Sequence, residues 1–273
     1  MSEFVLAHQS GLRLGLFALV VAAMLAWEAL APRRPRAAPR MRRWLGNIGV
    51  VVVDSLVLRI VFPLTAVAWA AEMSARGIGI LNAIAMPAWA SVPLAILALD
   101  LAIWAQHVVF HRVPLLWRLH RMHHADVDLD VTSGARFHPL EILLSMAIKF
   151  AAIAALGAPA LAVLAFEALL NACSMFNHAN VAMPPRAEAV LRLFLVTPDV
   201  HRVHHSVRRE ETDSNFGFCL PWWDRLFGTW RAAPADGQAG MTIGLAEFRA
   251  PGEARLDRML TQPFRDPQAA SAP

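Results

Sequence analysis

Five of the chain's eleven histidines fall between His107 and His124, in HVVFHRVPLLWRLHRMHH. His107 and His111 are four apart, so on a helix they share one face. Pro114 has no N–H and a fixed φ, so it breaks that helix or starts the next. On the following segment His120, His123 and His124 stand at i, i+3 and i+4, again one face. The pattern recurs as HRVHH at His201, His204 and His205. Neutral imidazole is the commonest protein metal ligand, and short helical arms turning several of them inward can hold metal ions. Surface histidines on an Arg-rich amphipathic helix would account for one or two of these positions, but not for two clusters at helical spacing.

The elements that must carry these residues are apolar. The 273 residues are 57% hydrophobic and only 17% charged, with mean hydropathy +0.44. The charges are bunched, which leaves runs long enough to be membrane spans. The net charge of +4 comes largely from Arg33, Arg34, Arg36, Arg40, Arg42 and Arg43. Such a cluster next to a span fixes membrane orientation on the cytosolic side and does not point to nucleic acid. Cys173 and Cys219 are the two cysteines, which is no disulfide framework and fits a reducing compartment.

Leu12 to Leu30 is the first apolar run. Ala29-Leu30-Ala31 resembles a cleavage site, but the weakly charged leading segment and the arginines behind it favour a retained helix. Trp44 to about Ala71 forms a second run, broken by Asp54 and Arg59, which are costly at membrane depth and should face another helix, a lipid headgroup or each other. Gly77, Gly79 and Pro87 mark a short outer connection. A third run from Trp89 delivers His107 and His111 at its inner end. Trp27, Trp44, Trp69 and Trp89 lie near helix ends, as an interfacial belt would. Asp126 to Ser133 reads as a polar loop. Leu140–Leu156 and Ala160–Met175, joined by Gly157-Ala158-Pro159, form a helical hairpin that returns Asn177-His178 to the side of the other clusters. Thr197-Pro198-Asp199 then starts the helix of the last cluster. The expected fold is therefore all-α: an integral membrane helical bundle of about three spans plus a hairpin, with a cytosolic helical cap bearing the histidines. Residues 1–43 carry the first span and the arginine loop. Residues 44–231 form the catalytic membrane-and-cap region. Residues 232–273 form a mostly irregular tail, disordered from Asp266.

HVVFH, HRMHH and HRVHH, followed by NFG and WWDRLFGT, resemble the three histidine boxes and C-terminal signature of the fatty acid hydroxylase/sterol desaturase superfamily. The resemblance covers roughly Leu99 to Trp230. It implies a membrane-embedded non-haem di-iron enzyme that uses O₂ to hydroxylate or desaturate a C–H bond of a fatty acyl or sterol-like lipid. It assigns His107 and His111 to the first box, His120, His123 and His124 to the second, and His201, His204 and His205 to the third. His178 matches an additional histidine, although a second one four residues earlier is replaced by Ser174. His138, in RFHPLE, is a tenth ligand or a neighbour of the ligands. Zinc is an expected substitute for iron in such a site. The sequence holds no recognisable haem, flavin or ferredoxin segment, so a separate electron-donor protein is expected as partner. The expected location is a bacterial inner membrane with the site facing the cytosol. Two other classes stay open on the residues alone: a membrane zinc hydrolase, which lacks an HExxH here, and a non-enzymatic metal carrier, whose ligands should line a membrane pathway.

Overall fold

The computed structural model of the chain describes residues 5, 8–84 and 86–266. It is helical throughout: among the described residues the extended pairing amounts to two isolated bridges, Pro32 with Val181 and Ser206 with Ile243. The membrane body comprises α1 (Gln9–Leu30), α2 (Arg40–Val61), α3 (Ala66–Ala75), α4 (Ala88–Arg112), α6 (Pro139–Leu156) and α7 (Ala160–His178), with α5 (Pro114–His124) turning away after α4. Prolines set most of these starts. Pro114, Pro139 and Pro198 each occupy the first helical turn, where a missing N–H costs nothing. Gly157 closes α6 at φ +66, a left-handed position that an L side chain resists, and so makes the tight hairpin into α7.

Five stretches are long and apolar enough to cross a bilayer: Gln9–Leu30, Arg40–Ala83, Ala88–Arg112, Pro139–Leu156 and Ala160–His178. Their outward faces carry exposed Leu14, Leu19, Leu56 and Ile60, which lipid tails would cover. The inner faces meet through small residues. Ala66, Ala70, Ala95, Ala158 and Ala162 let α3, α4, α6 and α7 approach closely around Leu99, Ile153 and Phe166. The protein is an all-α integral membrane bundle. One boundary differs from the sequence expectation. The second apolar run is not one helix: α2 stops at Val61, Pro63 follows, and Thr65 caps α3 by accepting from the Ala68 N–H.

The cap sits on the ends of α4 and α7 and is held by the arginines. Arg43 is buried and binds Asp126 through Nε and Nη2 (2.6 and 2.8 Å) and Asp130 through Nη1 (2.7 Å). Arg33 binds Asp199, Arg34 donates to the Met241 carbonyl, and Arg40 binds the buried Glu28. Glu28 in turn accepts from the backbone N–H groups of Val131 and Asn180, which makes α1 an integral part of the cap's foundation. Asp126–Ser133, expected as a polar loop, is therefore largely buried, because Asp126 and Asp130 meet the Arg43 guanidinium and Asp128 accepts from the Ala37 and Ala38 N–H groups. Three of the four tryptophans expected as a belt are likewise tied inward: Trp27 donates to the Ala182 carbonyl, Trp44 to Asp130 and Trp69 to the Phe150 carbonyl, while Trp89 is exposed.

The segment from residue 232 is mostly irregular, but it is packed. Met241, Gln262 and Met259 are buried, and the short helix Leu256–Thr261 lies on α2, with Met259 meeting Val50 and Met122. Asp266 reaches Arg118, and the expected disorder beyond it falls outside the described residues.

Candidate metal centre

α4, α5, α7 and the short helix α8 (Pro198–His204) converge beneath the cap, and with them nine histidines. His107, His111, His120, His124 and His204 offer ring nitrogens that all lie within 4.8 Å of one another; His123, His178, His201 and His205 form a second such group. All nine are buried, and the groups abut: the rings of His124 and His205 are 4.5 Å apart and those of His204 and His201 5.2 Å. Local sequence explains the convergence. The i, i+4 pair at the end of α4 and the i, i+3, i+4 sets on α5 and at the end of α8 each stack on one face. Thr197 caps α8, its Oγ1 accepting from the Val200 N–H, which fixes where the last set begins.

Oxygen atoms beside six of the nine rings fix their tautomers, while Nδ1 of His124, His201 and His205 has no hydrogen-bond partner among the described residues. Nδ1 lies 2.7 Å from the Phe216 carbonyl in His107, 2.7 Å from the Ser214 carbonyl in His204, 2.8 Å from the Ser174 carbonyl in His178 and 3.1 Å from the Arg136 carbonyl in His123. A ring nitrogen facing a carbonyl must carry the proton, so Nε2 of each of these rings is a bare lone pair. His120 Nδ1 is 2.6 Å from Glu141 Oε1, and His111 Nδ1 is 3.2 Å from Asp213 Oδ1, with the same consequence.

The lone pairs then point at one another. His107 Nε2 is 3.0 Å from His204 Nε2 and 3.1 Å from His120 Nε2, and His178 Nε2 is 3.1 Å from both His123 Nε2 and His201 Nε2. No proton is left to bridge the pairs between rings whose Nδ1 is protonated. His111 Nε2 has no hydrogen-bond partner among the described residues. Converging bare nitrogens oriented from behind by carbonyls and carboxylates form a donor set for a cation, and two abutting groups fit two cations. Burial, reinforced by neighbouring imidazoles, lowers the proton affinity of His123, His124, His201 and His205 well below the ordinary range. Burial pushes His204 down to about 3 despite the Ser214 carbonyl. These rings are neutral at pH 7, the form that binds metal.

His138 stands apart from both groups and does not join the ligand set expected from the sequence. It caps α6, with Nδ1 accepting from the Leu140 N–H and Nε2 3.1 Å from the Leu260 carbonyl. Pro139 makes it the residue before a helix, and that position turns its ring toward the helix end and the C-terminal segment. Ser174 tightens the site without a ring. Its Oγ donates to the Gly134 carbonyl, its own carbonyl holds His178, and a Cβ on Gly134 would lie 2.5 Å from that carbonyl. The arginines beside the boxes have separate fates: Arg112 is exposed, Arg121 donates to the Gln262 and Arg265 carbonyls, and Arg202 is buried against Asp199 and Gln238.

Several contributors carried no site signal in the sequence. Glu141 and Asp213 orient ligands from outside the boxes. The NFG and WWDRLFGT signature acts through Asp224, which accepts from the N–H groups of Phe216 and Gly217, from Trp104 Nε1 and from Thr229. That turn aims the Phe216 carbonyl at His107.

A cavity of about 350 Å³ runs from His107 and His120 into the membrane body, lined by residues of α1, α2, α4, α6 and α7. Phe110, Phe137, Ile142, Met146 and Leu170 make most of its wall apolar.

Comparison with known proteins agrees with this arrangement. The fatty acid hydroxylase family matches residues 92–229, just over half of the chain, a span that contains all nine clustered histidines. The chain is 32% identical over 173 residues to the ornithine lipid hydroxylase OlsE of Rhizobium tropici, covering 63% of this chain and 50% of that protein. It is 31% identical over 155 residues to the human (Homo sapiens) alkylglycerol monooxygenase, covering 56% of this chain and 34% of that protein. Cholesterol 25-hydroxylase of Rattus norvegicus is 26% identical over 203 residues, covering 73% of this chain and 65% of the relative. The chain thus spans half or less of the first two relatives' length. No solved structure matches it significantly. With the family match resting on the same stretch that builds the two histidine groups, the chain belongs to the fatty acid hydroxylase family.

Proposed function

We propose that the protein is an O₂-dependent di-iron oxidoreductase that hydroxylates or desaturates a C–H bond of a membrane lipid. The observation that carries this reading is the pair of abutting all-imidazole groups at the head of an apolar cavity inside a membrane bundle. His107, His111, His120, His124 and His204 would hold one ion, and His123, His178, His201 and His205 the other. When bound, such a pair supplies O₂ reduction and abstraction of an unactivated hydrogen. The chain's own residues bind, orient and exclude water. Phe110, Phe137 and Phe218 line the cavity beside His107 and His120, and would hold a lipid chain against the centre while keeping the reacting carbon dry. Glu141 and the Phe216 and Ser214 carbonyls keep protons on the outer ring nitrogens, so the inner ones stay free at neutral pH. Electrons would come from a separate donor protein, and the centre would face the cytosol, as the arginine-rich connection beside it supports. The names of the relatives, a lipid hydroxylase and a monooxygenase among them, support oxidation over hydrolysis. A zinc hydrolase would need a free carboxylate base at the metals, and Glu141 is engaged with His120.

Comparing the membrane lipids of a deletion strain with those of its parent by mass spectrometry, and then assaying the affected lipid with purified protein, tests the proposal. Iron and O₂ should both be required. Full turnover by a zinc-loaded, iron-free preparation under anaerobic conditions would contradict it.

A further inference from the structure

The cap carries an apolar surface that takes no part in the metal centre. Val190, Leu193, Phe194, Trp222, Leu226 and Phe227 are between 42 and 69% exposed. They come from the short helix Pro185–Leu191 with the turn after it, and from the short helix Trp222–Phe227. These two stretches abut: Trp222 Nε1 donates to the Leu193 carbonyl at 2.8 Å, and Arg225 Nη2 to the Arg192 carbonyl at 3.2 Å. Single exposed apolar side chains are ordinary on a protein surface, whereas a joined patch of large ones calls for something to cover it.

The contacts beneath the patch give its depth. Trp223 Nε1 donates to Asp100 Oδ2 on α4 at 2.8 Å, and the Phe227 ring stacks on Trp104 with centroids 4.6 Å apart. Asp100 and Trp104 precede His107 by seven and three residues on α4. At the helical rise these contacts therefore lie roughly 10 and 5 Å further into the membrane body than the first histidine. A hydrocarbon layer about 30 Å thick that starts at the exposed Trp89 extends about twenty residues along α4, past both. The helix Trp222–Phe227 thus descends beside α4 below the histidines, against residues that do not line the cavity. Around it the charge is basic. Residues 184–194 and 222–231 hold Arg186, Arg192, Arg225 and Arg231 against two acids, Glu188, which pairs with Arg192 at 2.6 Å, and the buried Asp224.

We infer that this patch is a membrane foot, which dips into the acyl region of the leaflet on the cap side and sets its arginines among anionic headgroups. Large apolar side chains rimmed by arginine suit a segment lying in the membrane interface. Lipid is the occupant because the patch continues the lipid-facing side of α4, where Leu94, Ala105 and Val109 are exposed, and because its supports lie at membrane depth. The foot also bears on the centre. Its helix carries Asp224, which holds the turn that aims the Phe216 carbonyl at His107.

Fluorescence quenching on the metal-loaded, full-length protein in phosphatidylcholine–phosphatidylglycerol vesicles tests the inference without turnover. Leu226→Cys and Phe194→Cys, each labelled with bimane, are compared with Leu56→Cys on the lipid-facing side of α2 and Ala239→Cys in the cap. Cys173 and Cys219 are buried, and the parent treated with the same reagent gives the background. Lipid brominated on its acyl chains should quench the labels at positions 226 and 194 as strongly as the one at 56. Iodide, present on both sides of the membrane, should quench the label at 239 but not these two. Moving the bromine from phosphatidylcholine to an equal fraction of phosphatidylglycerol should raise quenching at 226, and Arg186→Gln combined with Arg225→Gln should remove the gain. Iodide quenching at 226 and 194 equal to that at 239 would make the patch a water-facing surface. Resistance to both quenchers would mean that protein, a second copy of this chain included, covers it. Either result would overturn the inference and leave lipid oxidation untouched, and no gain with phosphatidylglycerol would overturn the part given to the arginines.

Discussion

His120 shows how much of the centre lies behind the ligands. Its ring is useful to a metal only in the tautomer that Glu141 enforces across 2.6 Å, and Glu141 belongs to a helix the boxes do not include. Replacing Glu141 with Gln keeps the shape but removes the carboxylate. Metal affinity should fall about 10–100-fold, read by titration with a competing chelator, with the helical content unchanged. Wild-type affinity would remove Glu141 from the support of the site. The histidines also set a pH response. Burial holds His204 down to about 3, and His123, His124, His201 and His205 are also well below the ordinary value near 6.5. In the metal-free protein the folded state thus binds fewer protons than the unfolded one between those values, and stability rises with pH. It is greatest above about 6.5 and is lost as pH falls toward the folded values. The melting temperature of the stripped protein should drop between about pH 7 and about pH 5, and an unchanged midpoint would contradict the burial of neutral rings. At this scale the grouping of nine of the ten histidines expected at the site was legible, because box spacing maps directly onto a helix face. His138 lies outside both groups, and its role as a helix cap before Pro139 was not legible in one dimension.

Helices and their ends were readable from apolar length, proline and glycine; what clamps them together was not. The arginine cluster reads as a topology signal, yet Arg43 is 2% exposed and holds Asp126 and Asp130 from 83 and 87 positions away. Pairing across such separations leaves no periodic trace. Burial opposes ionisation of Asp126, but the Arg43 guanidinium outweighs it and holds that carboxyl well below the usual carboxylate range. Arg43→Met should strand both acids beneath the cap and destabilise the protein by about 3–5 kcal/mol. Thermal unfolding in detergent should show this as a lowered midpoint, together with easier proteolysis between residues 126 and 133. A midpoint equal to the parent's would mean that the network contributes nothing. Replacing Arg43 together with Asp126 and Asp130 by apolar residues should recover much of the loss, since the penalty comes from unpaired buried charge.

The whole molecule is a membrane bundle whose long elements all deliver one end to the same plane. The sequence displayed that plan through apolar run lengths and the return of the hairpin, but not the cavity, which exists only where five helices leave space between them. The expected sidedness has a direct test. Cysteines introduced at Ser74, beside the outer connection, and at Ala239, in the cap, should react with a membrane-impermeant reagent from opposite faces of oriented vesicles; reaction from one face would contradict the arrangement. The central claim is that nine neutral imidazoles form two adjoining metal sites, one from each group. Metal content per folded chain, measured by mass spectrometry on protein purified without added chelator, tests it most directly. The parent and His138→Ala should each hold two metal ions, whereas His204→Ala and His178→Ala should each fall toward one. A parent that holds a single ion at saturation, or His138→Ala losing as much metal as His178→Ala, would contradict the account.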